Sequence, residues 1–151
     1  MMRGELFHRR DLSRILRFVA TVAALLLCAC SPSPRLADRP IDLSAQATLV
    51  RFQQPVPASD PSWEVCFEFG VPGDSHRAGR IGVVLLSTTG TRYTLDGAEL
   101  DRRGEAVVCQ IGRLTAADPS LPAPEPPVFD AAELTSEVPM RIKGLRGGGR
   151  P

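Results

Sequence analysis

The sequence predicts an all-β fold, a small two-layer antiparallel β-sandwich of immunoglobulin-like or jelly-roll-like type. Three observations predict it. Apolar and polar residues alternate with period two in several short runs, as they do on a half-buried strand. Turn residues punctuate those runs at intervals of about ten. After residue 30 no stretch carries the three-to-four-residue apolar spacing of a long amphipathic helix.

The 151-residue chain has room for one domain. Residues 1–29 are expected to lie outside it. Arg3, Arg9, Arg10, Arg14 and Arg17 form a basic opening, followed by the uncharged apolar run Phe18 to Cys28. That run has the length of a signal-peptide core and is shorter than the roughly 20 apolar residues a resident membrane helix needs. Leu27-Cys28-Ala29-Cys30 closes it. This segment resembles the lipobox of bacterial lipoproteins, in which a small residue precedes a cysteine that receives a thioether-linked diacylglycerol and becomes the first mature residue. The resemblance covers only residues 1–30. It implies lipidation at Cys30, with diacylglycerol and an acyl chain such as palmitate as the only covalent groups and no other cofactor. Ser31 at the following position, in place of Asp, implies by the same resemblance an outer-membrane lipoprotein facing the periplasm. Arg9-Arg10 leaves Sec and twin-arginine export both open.

Residues 30–47 contain three prolines and no sustained apolar period, so they read as the lipidated cysteine and a tether. The β-sandwich is expected over residues 48–144. Its clearest strand is Trp63 to Phe69, with Trp63, Val65, Phe67 and Phe69 on one face and Glu64, Cys66 and Glu68 on the other. Arg80 to Leu86 is a nearly continuous aliphatic run, expected in the middle of a sheet. Thr88-Thr89-Gly90 and the alternating Thr91 to Leu95 make a hairpin with it. Asp96-Gly97 and Arg103-Gly104 read as further turns. Glu105 to Ile111 is a strand placing Val107, Cys109 and Ile111 on one face. Pro119 to Pro127 reads as an extended surface connection. Val138 to Lys143 alternates again, and Pro139 points to an edge strand. Residues 145–151, with three consecutive glycines, read as a flexible basic tail.

Charge and cysteine content narrow the function. Without residues 1–29 the chain keeps 13 basic and 15 acidic residues, a net of about −2. A nearly neutral domain has no field to draw it onto nucleic acid, and no nucleic-acid partner is expected. With Cys30 used for lipid, Cys66 and Cys109 remain as an even pair in an oxidising compartment and are expected to form a disulfide. Trp63 lies on the same strand as Cys66 but on its opposite face, which is not the antibody arrangement. Two separated cysteines and the single mature histidine, His76, do not make a metal spacing.

The residue types for catalysis are sparse. Asp74, Ser75 and His76 are the residue types of a catalytic triad, but three neighbours on one loop rarely face one another as a triad requires. Glu64 and Glu68 lie four residues apart on a strand, their stems roughly 13 Å apart, and read as the wet face of a sheet. Trp63 and Tyr93, the only Trp and Tyr, are candidate sugar-stacking rings, although both sit where a core would use them. Arg141, Lys143 and Arg146 are candidate contacts to lipid phosphates or an acidic partner. Together these features predict a membrane-tethered binding or accessory subunit of a cell-envelope assembly and no enzyme. Its expected partners are the membrane, through the lipid, and an envelope protein. A glycan- or peptidoglycan-binding module is the alternative, and a hydrolase a distant third.

Overall fold

A computed structural model describes residues 33–120 and 126–150; the signal segment, Cys30 and the middle of the proline-rich connection lie outside these. Nine strands make up most of the described chain: β1 (Arg35–Ala37), β2 (Ile41–Leu43), β3 (Thr48–Pro57), β4 (Ser62–Phe69), β5 (Ile81–Ser87), β6 (Arg92–Arg103), β7 (Val107–Ala116), β8 (Val128–Ser136) and β9 (Met140–Gly149). One helical turn, α1 (Asp74–Arg77), interrupts them. The all-β, antiparallel class is as the alternation predicts. The strands form one continuous sheet in the order β1-β9-β4-β7-β6-β5-β8-β3, with β2 also on β9. This sheet curls until β1 comes against β3, giving a nearly closed barrel. Among the described residues no helix is long and apolar enough to cross a membrane.

The period-two pattern of β4 fills the interior. Trp63, Val65 and Phe67 are fully buried, joined by Leu85, Phe129, Leu134, Ile142 and Leu145 from other strands. Phe129 is the centre of the aromatic packing, with Trp63 and Tyr93 edge-on to it at centroid distances of 5.1 and 5.3 Å. Such edge-on pairs add to simple area burial because the positive rim of one ring meets the negative face of another. β5 lies between β6 and β8, in the sheet interior that its aliphatic run predicts. Gly90 has φ 86° and closes the β5–β6 hairpin, where the Ser87 N–H donates to the Thr91 carbonyl at 2.9 Å.

Four boundaries differ from the sequence reading. Residues 35–43 are not tether: β1 and β2 pair with β9 and bury Leu36, Ile41 and Leu43. Two strands of three residues, split by a proline, are too short to show a period. Residues 145–149 are not a flexible tail but the second half of β9, laddered to β4 from Gly149 opposite Trp63 to Leu145 opposite Phe67. The glycines there serve close approach. A Cβ on Gly147 would stand 2.9 Å from both the Glu64 carbonyl oxygen and Leu36 Cδ1, with the Trp63 ring 3.6 Å away. β9 is consequently an interior strand, and Pro139 precedes it without breaking its ladder. Asp96-Gly97 is not a turn but an irregularity inside β6, where the register to β7 shifts between Asp96 and Glu99.

Candidate functional site

The outer face of β4 is where the sequence places its wet carboxylates, and the structure corrects that. β4 lies between β7 and β9, and Ser33, Arg103, Arg146 and Arg150 reach over its outer side to the two carboxylates. Glu64 keeps only 8% of its side-chain surface exposed. Its carboxylate accepts hydrogen bonds from the Ser33 hydroxyl and from Arg103 Nη2, the latter at 2.8 Å, and Arg150 Nε stands 3.9 Å away. Burial pushes the Glu64 carboxyl up, but the Ser33 hydroxyl and the Arg103 guanidinium, with Arg150 beyond, outweigh it. The group is held below the usual carboxylate range. Two rows along, Glu68 pairs with Arg146. Cys66 and Cys109 lie between these two ion pairs, directly opposite each other on β4 and β7 and joined as a disulfide.

This belt is structural in character. Glu64, Cys66 and Cys109 place their ligand atoms within 4.8 Å of one another, but the bridge takes both thiols and leaves a single carboxylate donor. Every charge in the belt that lies close to β4 already has an opposite partner. The bridge also differs from the immunoglobulin disulfide, since it joins hydrogen-bonded neighbours within one sheet.

The other sequence candidates separate. Trp63 and Tyr93 are both buried, so neither ring is available to stack on a sugar at the surface. Arg141 forms an exposed two-pronged pair with Asp42, at 2.6 and 2.9 Å, which ties β9 to β2. Lys143 is exposed on the same strand, and Arg146 is held by Glu68. Asp74, Ser75 and His76 form the helical turn α1. There Ser75 is buried and donates its hydroxyl proton to the Glu105 carbonyl at 2.6 Å, whereas His76 is exposed, so the three do not converge.

The feature that sequence reasoning missed is a cleft where the sheet forks. β5 and β6 share a ladder only over Val84, Leu85 and Leu86, opposite Thr94, Tyr93 and Arg92. Beyond Val84 and Thr94 the ladder to β5 ends, while β6 stays laddered to β7 through a register irregularity between Asp96 and Glu99. A cleft of about 470 Å³ opens in the fork, inside the size range of small-ligand sites. Ile81, Val83 and Leu95 give it apolar walls, and Thr94, Thr135, Arg80, Arg92 and Glu133 give it a polar rim.

Gln110 of β7 lines this cleft from the inside. It is opposite Val65 and so on the core side of the sheet, only 2% exposed, and its Nε2 has no hydrogen-bond partner among the described residues. Leaving a buried amide donor unsatisfied costs about 1–3 kcal/mol. At the rim Arg92 is neutralised by Glu133, with one contact of 3.0 Å. Arg80 donates to the Ala98 carbonyl at 2.7 Å and has no carboxylate partner among the described residues. Sequence reasoning had no signal for this site: alternation groups Val107, Cys109 and Ile111 on one face and leaves Gln110 on the other, and only the pairing with Val65 shows that Gln110 faces the core.

Comparison with protein-family models, with curated proteins and with solved structures finds no match.

Proposed function

We propose that this chain is a lipid-anchored binding module of the bacterial cell envelope, held by acyl chains on Cys30 to the outer membrane and facing the periplasm. The observation that carries the binding role is the cleft at the β5–β6 fork, a concave, mixed-polarity site with an unsatisfied amide inside it. Its address rests on the lipobox-like Leu27-Cys28-Ala29-Cys30 and is supported by the Cys66–Cys109 bridge, since disulfides persist outside the reducing cytosol. Ser33 already bonds to β4, so only Ser31 and Pro32 would separate a lipidated Cys30 from the fold.

The anchor is tested by feeding the expressing bacterium labelled palmitate. The wild-type chain should take up label and Cys30→Ala should not; equal labelling of both would refute the anchor. The binding role is tested by crosslinking in the intact envelope, then detergent extraction and mass spectrometry. A single dominant protein partner makes the chain an assembly subunit. Recovery of murein or sugar fragments in its place would move the role to glycan binding, through surface groups other than Trp63 and Tyr93.

A further inference from the structure

The geometry points to the occupant of the fork: a free extended peptide of about three residues, added as a short strand along β5 and ending in a carboxylate at Arg80. This rests on the binding role proposed above and gives it a ligand class.

Three observations fix the mode. First, β5 offers an open edge. The Ser87 N–H is directed at β6, and alternation along a strand turns the backbone groups of Leu85, Val83 and Ile81 to the same side. The ladder to β6 ends at Val84, so Ile81 presents its N–H and C=O to the cleft rather than to a neighbouring strand. An added strand is the arrangement that satisfies such groups, and three residues of strand span about 10 Å. Second, the Gln110 Nε2 is a buried donor with no acceptor, suited to a peptide carbonyl inside the cleft. Third, the two guanidinium groups are not equivalent. Arg92, opposite Leu86, lies at the paired end of the fork and is neutralised by Glu133. Arg80, immediately before Ile81, lies at the open end and carries an uncompensated charge. A free carboxylate belongs at that end, which sets the peptide antiparallel to β5. The apolar walls Ile81, Val83 and Leu95 accept small aliphatic side chains.

The test uses the full chain, ¹⁵N-labelled and in detergent, titrated separately with N-acetyl-trialanine, with its C-terminal amide, and with sodium propionate. The expected result is saturable movement of the Gln110 side-chain NH₂ signals and of the Ile81 backbone amide with the free-acid peptide. The amide should bind about tenfold more weakly or worse, as loss of one charge-assisted contact requires. Gln110→Leu should abolish the peptide response and Arg80→Met should erase the preference for the acid. Ala47→Trp places a ring on an exposed rim residue and leaves the core alone, so it should block binding even if Gln110→Leu proves to perturb folding. Propionate binding as tightly as the peptide would overturn the strand in favour of a small organic acid. Peptide-induced shifts that bypass Gln110, or no shifts at all, would overturn the site. Neither result bears on crosslinking in the intact envelope, so failure of the peptide is distinguishable from failure of the binding role.

Discussion

Cys66 and Cys109 face each other across β4 and β7 with their Cα atoms 3.9 Å apart, in the register of the ladder itself. The bridge therefore joins strands that backbone hydrogen bonds already hold, and it closes a loop of 43 residues. In the chain-entropy description such a loop contributes roughly 4 kcal/mol by restricting the unfolded chain. The double variant Cys66→Ala/Cys109→Ala should lose about 2–4 kcal/mol in urea unfolding. Dithiothreitol should lower the Tm of the wild type and leave that of the variant alone. Equal stability with and without the bridge would show that the closed loop contributes nothing.

Glu64 ties the stability of the sheet to pH. Its carboxyl is held below the ordinary carboxylate range in the folded chain, so the folded state binds its proton less readily than the unfolded state does. The contribution is present above the unfolded value of about 4.3 and is lost as pH falls through the lower folded value. Glu64→Gln should cost about 1–3 kcal/mol at neutral pH, because Arg103 and Arg150 lose the negative charge they share. It should also flatten the decline of Tm between neutral pH and pH about 3. A variant whose acid decline matches that of the wild type would remove Glu64 from this role.

Gly147 separates two descriptions of the C-terminal segment. Were residues 145–149 a flexible tail, Gly147→Val would be silent. Since a Cβ there meets Leu36 and the Glu64 backbone at 2.9 Å, the substitution should destabilise by about 1–3 kcal/mol. Deleting residues 145–151 should abolish the dispersed amide spectrum of the folded chain altogether, since residues 145–149 carry the ladder to β1 and most of the ladder to β4.

Trp63 is the only tryptophan and is fully buried against Phe129. Its fluorescence should be blue-shifted and poorly quenched by acrylamide, and soluble glycans should leave it unchanged. Trp63→Ala should cost about 3–5 kcal/mol through the cavity it leaves. Strong quenching in the folded chain would mean that the ring is at the surface after all.

The strands with a strict two-residue alternation or an unbroken aliphatic run, β4 and β5, were legible because burying one face or both leaves a direct mark on residue type. β1, β2 and the end of β9 were not. Their short or glycine-rich sequences share the composition of linkers, and only the pairing partner reveals that Leu36 and Trp63 require the space beside Gly147. Glu64 was misread for a related reason. Alternation says that two faces differ, not that the polar one is open to water, and Ser33 and Arg103 arrive from far along the chain to cover it. The cleft lay further from view still, because it depends on the β5–β6 ladder ending at Val84 and Thr94.

The place of β9 also governs when the fold can form. β1 and β2 pair only with β9, and β4 has β9 on one of its two sides. Until residues 140–149 arrive, the first two strands have no partner and the hydrophobic β4 stands as an open edge, the kind of surface that invites aggregation. Contacts between such distant parts of a chain form slowly. Folding thus waits on residues 140–149, and any route that carries the chain across a membrane as it is made must shield an unfinished edge until they are through.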